Sequence, residues 1–94
     1  MIYIQDIISD AGKWSSKKTE ICRNLNPEFQ NIYDLITESV DEYCIENNIN
    51  LTSLEDLQAV VQGVSVLFLG TEEKDVYYYA IIAVISDYID LSMF

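Results

Sequence analysis

The sequence contains no histidine, and its 94 residues include only two cysteines, three glycines and one proline. Histidine is the commonest general base and the commonest zinc ligand, so its absence removes the usual arrangements for nucleophilic and metal-assisted catalysis. The three glycines stand too far apart to form a phosphate-binding loop. We therefore expect no enzyme activity, no catalytic residues and no bound cofactor or metal.

Positive charge is also scarce. The chain has five lysines and arginines against 16 aspartates and glutamates, a net charge of −11. Residues 1–25 carry a net charge of +1, whereas residues 26–94 carry 13 acids against a single lysine, a net charge of −12. A field of this sign repels nucleic acid and anionic lipid and attracts cationic surfaces. The sequence predicts a basic protein as partner and no direct nucleic-acid binding; the alternative is that the charge serves solubility alone.

No apolar run is long enough to cross a bilayer. The longest, residues 76–85, is about half the length of roughly 20 residues that a membrane-spanning helix needs. Residues 1–8 lack the basic start and uninterrupted apolar stretch of a signal peptide. These features predict a cytoplasmic protein that does not bind membranes. In that compartment Cys22 and Cys44 are expected to be reduced, although pairing between them stays open.

The apolar residues recur at helical spacing, which predicts a single domain over residues 1–94 with an all-α fold, a compact bundle of four to five helices. Residues 1–8 also suit a short strand. The apolar run over 59–69 predicts a helix enclosed on most sides, with Leu54 and Leu67 facing inward, and the last two helices at the centre. The predicted helices cover residues 2–14, 17–25, 26–46, 52–69 and 71–91, the last of them capped by Thr71.

Several residues mark predicted helix ends. Asn26 is a favourable N-cap, and Pro27 then takes the first helical position, where its missing N–H costs nothing. Thr52 and Glu55 form the pattern of a capping box, in which each side chain accepts a hydrogen bond from the backbone N–H of the other. Gly70 is a natural helix stop.

The helix predicted over 26–46 carries its acids on one side. With about 100° per residue, its five acids fall within roughly 140° of one another, and its periodic apolar residues fall on the opposite side. Like charges four residues apart each cost about 0.2–0.5 kcal/mol, and no lysine or arginine is interleaved to offset them. This pattern favours a surface kept for a basic partner; a merely solvated face is the alternative. We call these residues the acidic stripe: Asp34, Glu38, Asp41, Glu42 and Glu46.

A second acidic cluster, formed by Glu72, Glu73 and Asp75, precedes three consecutive tyrosines, residues 77–79. Three consecutive residues of a helix span about 200°, so at least one of these rings has to point away from the core. We predict Tyr78 as an exposed interface anchor beside these carboxylates. The alternative is that the rings close the bundle with their hydroxyls in water.

In size, helical character and distribution of carboxylates over residues 34–46 and 72–75, the whole chain resembles the immunity proteins of bacterial nuclease toxins. The resemblance lies in overall character and rests on no motif. It implies an inhibitor, a monomer or weak dimer, that neutralises a nuclease by presenting carboxylates to its substrate cleft. Two alternatives remain. One is a phage-encoded inhibitor of a host defence nuclease, such as an anti-CRISPR protein; the other is a non-enzymatic assembly or adaptor subunit whose last helix packs on a like chain.

Overall fold

The computed structural model of the protein describes residues 3–69 and 75–91, which fold into five α-helices. No strand is present within these ranges, so the predicted all-α fold of four to five helices is confirmed, and the alternative of a strand near the N-terminus is wrong from Ile4 onward. The helices are α1 (Ile4–Gly12), α2 (Ser16–Leu25), α3 (Phe29–Glu46), α4 (Leu54–Phe68) and α5 (Val76–Leu91).

Helix α5 forms the centre of the bundle. Every residue from Ala80 to Ser86 is buried, and α5 contacts all four other helices. A helix enclosed on all sides needs no polar face, which explains the unbroken apolar run in this segment. The Cα radius of gyration is 12.3 Å, close to the roughly 12 Å expected of a compact chain of this length. Within the described ranges, no helix combines the length and the apolarity needed to cross a membrane.

Helix α4 is less enclosed than its sequence suggests. Leu57, Val60, Val61 and Val64 are buried, but Leu67 is 70% exposed and Leu54 is 53% exposed. The prediction that both leucines face inward, on a helix enclosed on most sides, was therefore wrong. Because the apolar run contains few polar residues, nothing in the sequence marked which side of this helix would face solvent.

The N-terminus of α4 is capped one residue later than predicted. The Ser53 hydroxyl oxygen accepts a hydrogen bond from the backbone N–H of Asp56 at 3.2 Å, whereas Thr52 and Glu55 were predicted to form the capping box. The Asp56 carboxylate in turn lies 3.4 Å from the backbone nitrogen of Thr52. The helix is thus capped as predicted in kind, but by the next residue along the chain. The predicted helix stop at Gly70 and the predicted cap at Thr71 lie outside the described residues.

Helix α3 starts at Phe29, later than predicted. The Asn26 side chain accepts a hydrogen bond from the backbone N–H of Glu28 at 2.9 Å, and the Asn26 carbonyl accepts one from Phe29 at 3.1 Å. Asn26 therefore closes a turn that contains Pro27, and the helix follows this turn. At the other end of α3, Asn48 adopts the left-handed conformation with φ of 54°, a geometry that asparagine tolerates well and that ends the helix.

The crossing of α3 and α4 depends on a glycine. A methyl group placed on Gly63 of α4 would lie 2.4–2.9 Å from the ring and hydroxyl of Tyr43 of α3, closer than van der Waals contact allows. Glycine in a helix interior costs roughly 1 kcal/mol relative to alanine. Here that cost is offset by the close approach of the Tyr43 ring to the α4 backbone.

We predict that Gly63→Ala lowers the free energy of unfolding when residue 43 is tyrosine and raises it when residue 43 is alanine. In the otherwise natural chain, alanine should destabilise the fold by about 1–3 kcal/mol because the Tyr43 ring has to move. In a Tyr43→Ala background the same change should stabilise it by about 1 kcal/mol, since only the helix propensity remains. Urea denaturation of the four proteins measures both effects. Equal effects in the two backgrounds would show that the ring contact does not limit residue 63.

Candidate partner-binding surface on helix α3

The structure places the acidic stripe on one side of α3, away from the core. All five of its side chains are exposed. On the opposite side of the helix Ile36 and Val40 are completely buried. The stripe extends about 18 Å along the helix axis, because Glu46 lies twelve positions after Asp34 and each position adds about 1.5 Å. These residues therefore form a single continuous surface.

No cation of the described part of the chain neutralises this surface. Among residues 3–69 and 75–91, no lysine or arginine nitrogen lies within 4.0 Å of a carboxylate oxygen of the acidic stripe. The hydrogen bonds that these carboxylates accept come from neutral groups: Asp34 accepts one from the Gln30 amide at 2.8 Å, and Asp41 accepts one from the Tyr88 hydroxyl at 2.6 Å. Neutral donors orient a carboxylate but leave its charge in place.

Hydrogen bonds between tyrosine and aspartate connect this surface to the central helix. Tyr88 of α5 donates to Asp41 of α3, and Tyr33 of α3 donates to Asp87 of α5. Burial raises the pKa of Tyr88, and the hydrogen bond to the Asp41 carboxylate and its charge raise it further. The Tyr88 hydroxyl therefore remains a donor at neutral pH. Bonds in both directions hold α3 against α5 and so fix the position of the acidic stripe.

Asp87 has a perturbed pKa. Burial raises the pKa of its carboxyl group, the nearby charge of Asp90 raises it further, and Arg23 opposes the shift. A carboxyl group whose pKa is higher in the folded chain than in the unfolded chain binds its proton more strongly in the native state. Its contribution to stability is complete below the ordinary pKa of 3.8 and is lost as pH rises through the raised value.

Asp87→Asn should therefore raise the melting temperature at pH 7 and have little effect near pH 3. The amide oxygen can still accept the hydrogen bond from Tyr33, while the unfavourable negative charge is gone. Melting curves of the variant and the natural chain between pH 3 and pH 7 measure the difference, which should grow with pH. A difference that does not vary with pH would mean that ionisation of Asp87 is not its cause.

The second acidic cluster is only partly described. Glu72 and Glu73 lie outside the described residues. Asp75 is exposed, and its carboxylate accepts hydrogen bonds from the backbone N–H groups of Tyr77 and Tyr78 at 3.0 and 3.2 Å. This geometry is that of a helix N-cap. Asp75 thus has a structural function at the start of α5 whether or not it also contacts a partner.

Tyr78 is not the exposed tyrosine. Its side chain is 1% exposed and its hydroxyl donates to Asp10 of α1, whereas Tyr77 and Tyr79 are 37% and 39% exposed. Burial, followed by the hydrogen bond to Asp10 and its charge, raises the pKa of Tyr78. The prediction of Tyr78 as an interface anchor was wrong, because α1 packs against the side of α5 that carries it. Its two neighbours are partly exposed instead, and the ring of Tyr79 stacks on the ring of Trp14 with the ring centroids 6.1 Å apart.

Two apolar residues of this surface were missed in the sequence. Leu35 is 49% exposed and Ile45 is 79% exposed. With about 100° per residue from Asp34, Leu35 lies at roughly 100° and Ile45 at roughly 20°, both within the arc of the acidic stripe. The helical wheel that groups the acids therefore also identifies these two residues, because their angles differ from those of the buried apolar residues.

A shallow groove of about 320 Å³ lies between α2 and the start of α5. Two of its polar side chains are already engaged: Asn26 and Asp75 each accept hydrogen bonds from backbone N–H groups. Burial raises the pKa of the Cys22 thiol in its wall, so this sulfur stays protonated and is a poor nucleophile at neutral pH. The groove therefore presents an apolar surface without an activated catalytic group. It is lined by Cys22, Leu25, Asn26, Phe29, Asp75, Val76 and Tyr79.

Within the described ranges, no three Cys, Asp or Glu side chains converge in a way that would hold a metal ion. Cys22 and Cys44 are both free thiols. Comparison with protein-family models, curated proteins and solved structures finds no match to this chain.

Proposed function

We propose that this chain is an acidic inhibitor that neutralises a basic protein, and that the partner is a nuclease toxin whose substrate cleft is occupied by the acidic stripe. The observation that carries the proposal is the exposure of five carboxylates on one face of α3, with no ion pair to any described lysine or arginine. A nuclease cleft presents cations to phosphates. Carboxylates held on a rigid helix offer such a cleft negative charge in their place.

The energetics support a function for this charge. The like-charged pairs along α3 (Asp34/Glu38, Glu38/Glu42 and Glu42/Glu46) each cost the helix about 0.2–0.5 kcal/mol. Charge complementarity between proteins speeds association and disfavours wrong partners. A chain with a net charge of −11 attracts a cationic protein over distances up to the Debye length, about 8 Å at physiological ionic strength. The cost to the isolated helix is thus offset when a basic partner binds.

We propose that the chain acts in the cytoplasm as a monomer or weak dimer and has no catalytic activity of its own. The missing histidine and the engaged polar groups of the α2–α5 groove support a binding function. One alternative is an adaptor whose last helix packs on a second copy of the chain. It is less favoured, because Ile81, Ile82 and Ile85 of α5 are already buried inside the bundle of a single chain.

The test uses the protein encoded immediately upstream of this chain, because an immunity gene directly follows its toxin gene. That protein is purified and its cleavage of DNA and RNA is measured with and without an equimolar amount of this chain. We expect nuclease activity, its loss on adding the chain, and slower association as the salt concentration rises. A neighbour without nuclease activity, or one that remains active, would contradict the immunity function. Inhibition of a host defence nuclease by a chain encoded among phage genes would favour the phage inhibitor.

A further inference from the structure

The surface that carries the acidic stripe is not purely acidic. Ile45, 79% exposed, lies between Asp41 and Glu38 on the wheel, and Leu35, 49% exposed, lies between Glu42 and Glu46. About ten residues separate the two apolar side chains, which places them about 15 Å apart along the helix. Residues three or four apart are neighbours on a helix surface, so Ile45 lies next to Asp41 and Glu42, and Leu35 lies next to Glu38.

Neither side chain belongs to the buried core. The core is formed from the opposite side of α3, where Phe29, Ile36 and Val40 are buried, whereas Leu35 and Ile45 are exposed. Isolated exposed apolar residues are common on proteins. What distinguishes these two is their position beside the acidic stripe, whose carboxylates form no ion pair with any described lysine or arginine. Large exposed apolar residues next to charged ones are typical of a protein–protein interface, in which apolar anchors lie within a polar rim.

We infer that Leu35 and Ile45 are apolar anchors, and that the partner of this face is a protein surface on which lysines or arginines surround apolar contact sites. The inference rests on the proposed function and specifies its partner. A ligand with cations alone would satisfy the carboxylates and leave both side chains in water. A surface that offers both cations and apolar contacts complements the whole face. The negative charge favours partners with lysines or arginines, and burial of Leu35 and Ile45 against apolar side chains adds to the binding free energy.

Two synthetic peptides of equal charge serve as probes. The first is an amphipathic helix of about 18 residues, with leucines along one face and lysines beside them; the second has glutamine in place of each leucine. We expect the leucine peptide to bind about tenfold or more tightly than the glutamine peptide, and to shift the methyl NMR signals of Leu35 and Ile45. In the variant Leu35→Gln with Ile45→Gln, both peptides should bind with the affinity of the glutamine peptide.

The matched control is Leu25→Gln with Val66→Gln, which removes two other exposed apolar residues, 80% and 78% exposed, from α2 and α4. This control should keep the preference for the leucine peptide, and circular dichroism checks that both variants fold. Equal affinities in the natural chain, or a preference that survives the loss of Leu35 and Ile45, would overturn the inference.

The same titrations separate this inference from the proposed function. If both peptides bind with equal affinity and salt weakens the binding, the charge-based inhibitor is supported and the assignment of Leu35 and Ile45 as apolar anchors is contradicted. Salt-insensitive binding of the leucine peptide, lost with Leu35 and Ile45, would support the anchors and contradict the charge-based mechanism. If neither peptide binds, both proposals fail.

Discussion

Neutralising four carboxylates of the acidic stripe should slow association with the basic partner by about 10- to 1,000-fold, the range that electrostatic steering covers. The chain should remain folded or become slightly more stable, because repulsion between like charges four residues apart is relieved. Stopped-flow binding to the nuclease that the chain inhibits, at several salt concentrations, measures the rate. The substitutions are Glu38→Gln, Asp41→Asn, Glu42→Gln and Glu46→Gln.

A matched control separates the stripe from the overall charge. Removing four exposed carboxylates elsewhere gives the same net charge, −7 in place of −11. If the stripe docks on the partner, this control should keep most of the association rate and the variant above should not. Equal slowing in both proteins would show that total charge, and not the face of α3, steers the partner. The control substitutions are Asp6→Asn, Glu20→Gln, Glu55→Gln and Asp90→Asn.

The largest loss of stability is expected at Tyr78. Tyr78→Ala removes a fully buried ring and should cost about 3–5 kcal/mol, whereas Tyr78→Phe removes only the hydroxyl that donates to Asp10 and should cost about 1–2 kcal/mol. Urea denaturation of both variants measures these costs.

Tyr77→Ala is the control for this residue, since Tyr77 is the adjacent ring and is 37% exposed. It should cost clearly less stability than Tyr78→Ala, because more than a third of the Tyr77 side chain is already in water. The folded Tyr78→Phe variant should bind the partner as the natural chain does. A marked loss of binding in Tyr78→Phe, without loss of fold, would restore Tyr78 to the interface.

The surface on α3 could be predicted from the sequence because it depends on one helix alone. Once the period of Ile32, Ile36 and Val40 defines the buried side, the acidic stripe follows from about 100° per residue. Leu35 and Ile45 were accessible to the same reasoning. Their angles on the helix differ from those of Ile32, Ile36 and Val40, so the apolar period that marks the core does not include them.

The orientation of the tyrosines could not be predicted in this way. Tyr77, Tyr78 and Tyr79 are identical residues in an apolar run, and which one is buried depends on where α1 packs against α5. The acceptor at Asp10 is 68 residues away in the chain. The exposure of Leu67 on α4 is likewise set by contacts between helices, which no local pattern specifies.

The contacts between tyrosine and aspartate also define how the molecule responds to base. The fold keeps the hydroxyls of Tyr78 and Tyr88 protonated beyond their ordinary pKa of 10, whereas the unfolded chain would ionise there. Stability supplied by these groups is complete below that value and is lost as the solution becomes more alkaline. Since the two bonds hold α1 and α3 to α5, alkali should loosen both attachments together. Strongly alkaline elution, above the ordinary pKa of 10, is therefore a rational way to detach a captured partner from the immobilised chain.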